Sequence, residues 1–420
     1  MRSLVLLGLI ACSGETLPPP LGDLSDASKD SSHDAATTID APVDEPVADA
    51  SPDAACVPAV WKSSGSMATT YQIDALHSGE QPNDAISLPL CRRWSTAFKG
   101  KVSYPVIANG RLFVSVADLG SYGTNVYALD EATGNIVWGP TTLAATYFWS
   151  ALAYDAGTIF ALDFSGHVHA LDAATGASLW TATMPNQYAF SSAPTSNGSS
   201  LYVGGAGVGG TVYAVNEADG GVLWTATVEN GDQSSPAVDS SGVYVSYACD
   251  QAYAFDPKSG TQLWHHDSTC EGGGGKTVSV RGDRVYTRDS YAGNLVLSTA
   301  DGSQLATHPS ATVPAFYQSS TIVGVASGHV FARTLNGTAL WSYGSNIVTA
   351  PIIVGSHVVV GTSNGEVDVL DVSSGALVSS DDIGATISGP DEQNVSSPLT
   401  GLGDADGTLI VVGDGIVVAY

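Results

Sequence analysis

The segment Val168-His-Ala-Leu-Asp-Ala-Ala-Thr-Gly176-Ala-Ser-Leu-Trp180 recurs, with small changes, along most of this chain. The copies centre on glycines spaced 35 to 44 residues apart, at Gly134, Gly176, Gly220, Gly260, Gly302, Gly337 and Gly375. Six of the 8 tryptophans fall in the same register, at Trp94, Trp138, Trp180, Trp224, Trp264 and Trp341. A fixed period of about 40 residues indicates a repeat architecture.

Within each repeat the local signals are those of strands and turns. Residues 234–247 contain two alternating apolar runs separated by a polar Gly turn, and the Asp-x-x-Thr-Gly block predicts a hairpin turn. Each period therefore holds four short strands, A to D in chain order, with Trp in strand D. Four-stranded units in series predict an all-β fold, a β-propeller.

The repeat markers predict eight blades, with seven as the alternative because two repeats are weak. Residues 384–420 supply only strands A to C of the last blade. We expect Cys91-Arg-Arg-Trp94-Ser-Thr-Ala-Phe98 to supply its strand D. Joining the first and last strands in one blade closes the ring and removes its free edges.

The block Ala-x-Asp-x-x-Thr-Gly-x-x-x-Trp, as in Ala128 to Trp138, resembles the tryptophan-docking repeat of the PQQ-type propeller superfamily. The resemblance covers roughly residues 91–420. It implies that each Trp stacks between neighbouring blades, near the Gly of the next blade. This superfamily contains quinoprotein dehydrogenases and also the propeller lipoprotein of the outer-membrane β-barrel assembly machine, which this chain resembles most in layout.

Composition and the N-terminus predict the cellular setting. The chain of 420 residues has a formal net charge of −27, which excludes nucleic-acid binding as its main role. Residues 1–12 have the pattern of an export signal, and Leu9-Ile-Ala-Cys12 resembles a bacterial lipobox in which Cys12 is lipidated. An ordinary signal peptide or a wrong start codon is the alternative. Residues 13–55 read as a disordered acidic Pro/Ala/Asp tether, and 56–420 as the propeller domain.

Several short motifs are expected to be turns or strands rather than chemical sites. The glycine-rich stretches 205–210 and 270–277 precede predicted strands, whereas nucleotide-binding loops need a helix. Arg281-Gly-Asp283 and Asp404-Ala-Asp-Gly407 fit turns. His167 with His169, and His265-His266-Asp267, give too few ligands for a metal site on sequence alone. We therefore expect no cofactor, metal or catalytic residue.

The cysteines other than Cys12 form an even set. We predict a disulfide between Cys249 and Cys270, because the B–C turn and the D–A loop share one face of a propeller. The remaining two, Cys56 and Cys91, would then join the N-terminal segment to the closing strand. Free buried thiols are the alternative.

Three classes of function remain. The sequence favours a non-catalytic, monomeric lipoprotein of the outer membrane, on its periplasmic or surface face, that binds another envelope protein. A surface propeller that binds a small ligand or glycan in its axial funnel is the alternative, and a PQQ-dependent dehydrogenase is a lower one. Aromatics and amides in predicted D–A loops form the candidate rim, with plugging of the axial channel as their alternative role: Tyr147, Phe148, Trp149, Tyr188, Gln233, Tyr317, Gln318 and Gln393.

Overall fold

In the computed structural model each repeat folds into one antiparallel sheet of four short strands. The structure describes residue 56 and residues 63–420, except for 144, 188, 206–209, 230–233, 268–274 and 290–293. The strands that each repeat contributes to its sheet are consecutive in the chain and form a simple meander, and two N-terminal strands join the last two sheets.

The strands are numbered in chain order. β1 (Glu80–Gln81) and β2 (Trp94–Ala97) precede the repeats. Blade 1 contains β3 (Val106–Ala108), β4 (Arg111–Ala117), β5 (Thr124–Asp130) and β6 (Ile136–Leu143). Blade 2 contains β7 (Ser150–Asp155), β8 (Thr158–Asp163), β9 (His167–Asp172) and β10 (Ser178–Thr183). Blade 3 contains β11 (Thr195–Asn197), β12 (Ser200–Gly205), β13 (Thr211–Asn216) and β14 (Val222–Thr227). Blade 4 contains β15 (Ala237–Val238), β16 (Val243–Tyr247), β17 (Gln251–Phe255) and β18 (Gln262–His266).

Blade 5 contains β19 (Ser279–Arg281), β20 (Arg284–Tyr286), β21 (Leu295–Ser298) and β22 (Gln304–Thr307). Blade 6 contains β23 (Ala315–Tyr317), β24 (Thr321–Ala326), β25 (His329–Thr334) and β26 (Ala339–Tyr343). Blade 7 contains β27 (Ile352–Val354), β28 (His357–Gly361), β29 (Glu366–Asp371) and β30 (Leu377–Asp382), and β1 joins it parallel to β27. Blade 8 contains β31 (Gly403–Ala405), β32 (Thr408–Gly413) and β33 (Ile416–Ala419).

The ring closes as the sequence predicts. β2 pairs antiparallel with β33, with Trp94 opposite Ala419, and thereby becomes strand D of blade 8. The described residues form eight four-stranded blades, so the prediction of eight is confirmed and the alternative of seven is wrong. The A strands of neighbouring blades contact one another, as β3 contacts β7 and β31, and therefore line the axis.

The Asp-x-x-Thr-Gly block forms the C–D turn. In blade 2 the Asp172 carboxylate accepts hydrogen bonds from the Thr175 backbone N–H at 2.8 Å and from its hydroxyl at 2.7 Å. Gly176 follows with a φ of 72°, a left-handed conformation that favours glycine. The local hydrogen bonds of Asp and Thr therefore fix the turn that presents this glycine to the preceding blade.

Each of the six register tryptophans docks on the next blade. Its indole Nε1 donates to a C–D turn carbonyl at 2.8 to 3.0 Å, and its ring covers the turn glycine. A Cβ on any of these glycines would lie 2.4 to 2.8 Å from the indole. Glycine is therefore required both for its φ and for the close approach of the ring. The pairs are Trp94 with Gly134, Trp138 with Gly176, Trp180 with Gly220, Trp224 with Gly260, Trp264 with Gly302, and Trp341 with Gly375.

A small residue on strand C accompanies every docked indole. The cross-strand partner of each tryptophan is an alanine: Ala419, Ala128, Ala170, Ala214, Ala254 and Ala332. At the two positions without Trp the strand C partner is valine, with Val296 opposite Ala306 and Val369 opposite Ser379. The alanine leaves room for the ring, and the valine fills some of that room where the ring is missing.

The seam between blades 5 and 6 is open where Trp is missing. Ala306 and Gly337 line a cleft of about 400 Å³, and a Cβ on Gly337 would meet no atom within 4 Å. Arg284 replaces the hydrogen bond that a Trp would make here, because its Nη1 donates to the Leu335 carbonyl at 2.9 Å. The carbonyl is satisfied, but the apolar contact of the indole is not replaced.

The N-terminal segment fills the other seam without Trp, between blades 7 and 8. Ser379 stands at the Trp position, and its hydroxyl accepts a hydrogen bond from the Leu90 backbone N–H at 2.9 Å. A disulfide with Cα atoms 5.6 Å apart joins Cys56 to Cys91, one residue further along. The same segment therefore covers this seam and leads into the closing strand.

Residues 68–81, the hub segment, reach every blade. Backbone hydrogen bonds join the segment to the A strands of blades 1, 2, 4, 5, 6 and 7. Side-chain bonds from Thr70 to the Pro194 carbonyl and from Gln81 to the Asp404 carbonyl add blades 3 and 8. The backbone bonds link Ala68 with Ile107, Thr69 with Tyr154, Ala75 with Val238, Leu76 with Val280, Ser78 with Phe316, and Gly79 with Ile353.

Adding a tryptophan to the open seam between blades 5 and 6 tests Trp docking. We expect Val296→Ala to lower the melting temperature because it enlarges the cleft, and Ala306→Trp alone to gain little beside Val296. The double variant should melt about 2 °C or more above wild type, since a docked indole then fills the cleft. Differential scanning calorimetry of all four proteins measures the coupling.

The matched control is Leu305→Trp, because Leu305 lies next to Ala306 on the same strand and is 48% exposed. That variant should leave the melting temperature unchanged with or without Val296→Ala. Purely additive effects of Val296→Ala and Ala306→Trp would contradict the docking interpretation.

Candidate functional site

The B–C turns and D–A loops share one face of the ring, and the A–B and C–D turns share the other. On the first face, blades 1 and 2 carry a partly exposed apolar cluster, mainly aromatic, which we call the rim patch: Leu119, Tyr122, Tyr147, Phe148 and Phe164. Leu119 is 70% exposed and Tyr122 is 65% exposed, the highest values among the large apolar side chains of the described residues. Exposed groups of this kind mark interaction sites more often than isolated apolar residues do.

The rim patch is ordered by ring contacts. The rings of Tyr122 and Phe148 lie 5.2 Å apart, and those of Tyr147 and Phe164 lie 4.5 Å apart in an edge-to-face arrangement. Phe164 also packs against the buried core. The patch therefore combines exposed aromatic surface with a fixed geometry, which lowers the entropy cost of binding.

Backbone contacts between the two loops hold this geometry. Gly123 donates its N–H to the Tyr147 carbonyl at 3.0 Å and has a φ of 110°. A Cβ there would lie 2.2 Å from the Leu143 carbonyl oxygen, so only glycine fits. The Asp118 carboxylate accepts hydrogen bonds from the Gly120 N–H and the Ser121 hydroxyl, which orders the turn that carries Leu119 and Tyr122.

Three predicted rim residues lie in or beside this patch, and one of them is corrected. Tyr147 is 43% exposed and Phe148 is half-buried, both in the D–A loop before β7. Trp149 is 0% exposed and belongs to the core, so its prediction as a rim residue is wrong. The reason is its place directly before β7, where the chain already turns inward.

Tyr317 and Gln318 are also corrected, because they lie on the opposite face. Tyr317 is the last residue of β23, and Gln318 lies in the A–B turn that follows it. Gln318 accepts a hydrogen bond from Arg281 Nε at 2.8 Å and donates its N–H to Glu80 Oε1 at 2.7 Å. Strand A of blade 6 begins at Ala315, earlier than the sequence pattern indicates, so Tyr317 ends this strand and Gln318 lies in the A–B turn instead of a D–A loop.

The other predicted residues divide into described and undescribed ones. Gln393 is exposed in the long loop between blades 7 and 8. Tyr188, Gln233, Cys270 and Cys12 lie outside the described residues. Cys249 is disulfide-bonded, and its pairing with Cys270 stays a prediction.

Sequence reasoning missed Leu119, Tyr122 and Phe164. All three belong to B–C turns, whereas the predicted rim residues were taken from D–A loops alone. Both kinds of connection lie on the same face of the ring. The signal was present in Asp118-Leu-Gly-Ser-Tyr-Gly123, the B–C turn of blade 1, which carries two large apolar side chains.

A buried ion pair joins distant parts of the ring. The loop between blades 7 and 8 places Glu392 beside Arg288 of blade 5, so the ion pair spans non-adjacent blades. Glu392 also accepts the Thr277 N–H at 2.6 Å, and Arg288 donates to the carbonyls of Thr277 and Ala311 at 3.0 and 3.2 Å. Both side chains are at most 6% exposed, so their role here is to join the loop to the ring.

The hub segment fills the neighbouring part of the axis. The rings of Tyr71 and Tyr104 lie 5.2 Å apart, and His77 Nδ1 is 2.9 Å from the Val278 carbonyl. Burial lowers the pKa of His77 and raises that of Tyr71, so both are neutral at pH 7. These buried side chains lie at the level of the A strands, to which the hub segment is hydrogen-bonded.

Comparison with known proteins agrees with this architecture. The family described as outer membrane protein assembly factor BamB matches residues 164–339 and 253–420, which together span more than half of the chain. The chain belongs to this family. No curated protein matches it.

Solved structures share its fold. BamB from Moraxella catarrhalis superposes with a TM-score of 0.58 at 19% identity, covering 78% of this chain and 96% of that one. Quinohemoprotein alcohol dehydrogenase from Comamonas testosteroni gives 0.64 at 14% identity, covering 85% and 81%. The computationally designed Ika8 protein gives 0.60 at 17% identity, covering 77% and 98%. At these identities the likeness shows the fold alone.

The part of the chain that the structure describes contains no helix with the length and apolar character to cross a membrane.

The corrected position of Trp149 gives a stability test. We expect Trp149→Ala to lower the free energy of unfolding by about 3–5 kcal/mol, as for other buried aromatic residues. Tyr147→Ala, two residues away and 43% exposed, should change it by about 0.5 kcal/mol or less. Chemical denaturation monitored by far-UV circular dichroism, instead of tryptophan fluorescence, measures the free energy of unfolding of both variants. Equal effects of the two substitutions would contradict the assignment of Trp149 to the core.

Proposed function

We propose that this chain is a non-catalytic lipoprotein of the outer membrane whose propeller holds another envelope protein through the rim patch. The observation that carries this proposal is the exposure of Leu119 and Tyr122, together with the ring pairs Tyr122–Phe148 and Tyr147–Phe164. Aromatic residues are enriched among those that dominate binding energy, and a fixed aromatic cluster needs little ordering on binding.

The family supports an envelope setting for this role. Its description names an outer membrane protein assembly factor, and the proposal carries that kind of role to this chain. Cys12 would carry the lipid, and residues 13–55 would form the tether to the domain that starts at residue 56. The disulfide between Cys56 and Cys91 fits an oxidising compartment. Charge adds a condition on the partner, because a chain of net charge −27 repels an acidic surface.

The dehydrogenase alternative receives less support from the described residues. Arg288 and Glu392 are buried, and they bind each other and backbone groups. Residues 68–81 supply further buried side chains at the level of the A strands. The chain also has no adjacent cysteines of the kind that the resemblance implies for the quinoprotein enzymes.

A glycan is the second candidate occupant of the rim patch. Tyr122 and Tyr147 are 65% and 43% exposed, and aromatic rings stack on sugars as well as on peptides. This candidate differs from the earlier funnel hypothesis in its place, since the patch lies over blades 1 and 2 and not on the axis.

Affinity capture from the native envelope tests the proposal. The full lipidated chain is crosslinked in its own cells, purified and compared with the double variant Leu119→Ser/Tyr122→Ser by quantitative mass spectrometry. We expect a specific envelope protein whose recovery falls about 30-fold in the variant, which corresponds to the loss of about 2 kcal/mol of binding energy.

The matched control is Leu263→Ser/Leu340→Ser, which removes two leucines of the outer strands that are 49% and 48% exposed. This control should retain the partner. Equal recovery of every protein by wild type and the rim variant would contradict the proposal. The second candidate would be favoured by two results together. The wild type would capture no protein, and it would be retained on a glycan column that no longer retains the rim variant.

A further inference from the structure

A cluster of potential metal ligands lies next to the rim patch in blade 2. Asp163 ends β8, His167 starts β9, and His169 lies two residues further on the same side of that strand. Asp163 Oδ2 is 3.0 Å from His167 Nδ1 and 3.2 Å from His169 Nε2. Among the described residues this is the group of three such side chains whose ligand atoms all lie within 4.8 Å of one another.

The distances fit a tetrahedral ion. Zinc bonds of 2.0 to 2.2 Å to nitrogen and oxygen place neighbouring ligand atoms about 3.3 Å apart. Two of the three separations are already within a few tenths of an ångström of this value. The third separation is at most 4.8 Å, and a rotation of the His167 side chain, which is 37% exposed, would shorten it.

The groups behind the ligands orient them for metal binding. Asp163 Oδ1 accepts the backbone N–H groups of Ser165 and His167 at 2.9 and 3.1 Å, which turns Oδ2 toward the imidazoles. Without an ion, His169 Nε2 donates a hydrogen bond to Asp163 Oδ2. When Nε2 binds an ion instead, the imidazole proton moves to Nδ1, where the Thr181 hydroxyl at 3.3 Å accepts it. Partners of this kind fix the tautomer and direction of metal ligands.

The charge of the cluster also suits a cation. The Asp163 carboxyl group is buried, with 0% of its side chain exposed, and its Oδ2 faces a ring nitrogen of each histidine. A buried carboxylate that faces two imidazoles attracts a positive ion from the solvent side.

The turn itself does not need this set of residues. In blade 7 the same position as Asp163 is held by Thr362, whose hydroxyl accepts the Glu366 N–H at 3.2 Å and caps the equivalent turn. In blade 6 the corresponding pair across the strands is Ala326 and His329, with Phe331 in place of His169. A B–C turn of this fold thus forms without a carboxylate between two histidines.

We propose that Asp163, His167 and His169 form a binding site for a divalent transition metal ion, with Zn²⁺ as the preferred ion. Two imidazoles and one carboxylate are the donor set of zinc rather than of calcium or magnesium, which prefer oxygen ligands. The exposed side of His167 leaves the remaining coordination position to water or to a group of a bound partner. Phe164 of the rim patch lies in the same turn, so an ion there would stand at the edge of that patch.

Metal titration tests the site. Isothermal calorimetry of the purified full chain with Zn²⁺, and the visible absorption of Co²⁺ as a probe of tetrahedral coordination, report binding directly. We expect saturable binding of one ion per chain, with an affinity that falls about 100-fold or more in His169→Gln. His167→Gln should weaken binding as well, and both substitutions leave Asp163 and its turn in place.

His329→Gln is the matched control, because His329 starts β25 at the position that His167 holds in β9. It should bind Zn²⁺ like the wild type. Absence of saturable binding to the wild type would overturn the proposal, as would equal affinity of wild type and His169→Gln. Unchanged circular dichroism spectra of the variants establish that a loss of binding is not a loss of the fold.

Discussion

The docking of one indole ring on one glycine is the contact on which this ring of blades depends. At six seams the Trp Nε1 bonds a turn carbonyl, the ring covers a glycine that has no room for a Cβ, and an alanine on strand C leaves space for it. Each part needs the others, because alanine without the ring leaves a cavity and a Cβ on the glycine displaces the ring. Since the contact joins consecutive repeats, it fixes the angle between blades and so their number.

The N-terminal segment supplies what the repeats cannot. Ser379 replaces Trp at the seam of blades 7 and 8, and the chain around Leu90 and Cys91 covers that place. Residues 68–81 then bond to all eight blades, and β2 completes the last one. The seam of blades 5 and 6 has neither device. We expect it to be the least stable of the seams, because Arg284 replaces only the hydrogen bond of the missing indole.

Features that repeat along the chain could be predicted from the sequence, and features that depend on contacts between distant residues could not. The Trp and Gly register predicted eight blades and the closing strand, because the Trp of one repeat packs on the turn Gly of the next repeat. Trp149 and Tyr317 were misplaced because one or two residues separate a loop from a strand end, and apolar patterns do not resolve that difference. The hub segment, the Arg288–Glu392 pair and the position of Asp163 between two histidines need the folded chain to bring them together.

The repeats therefore build a rigid ring. We assign the binding function of this protein to the loops between its strands, above all to the B–C turns of blades 1 and 2. Site-specific photocrosslinking in living cells tests this most directly. A photoreactive amino acid at position 122, in the rim patch, should form a discrete adduct with one envelope partner, whereas the same amino acid at position 263, on an outer strand, should not. Adducts of equal yield at both positions, or an adduct at position 263 alone, would contradict the assignment of binding to the rim patch.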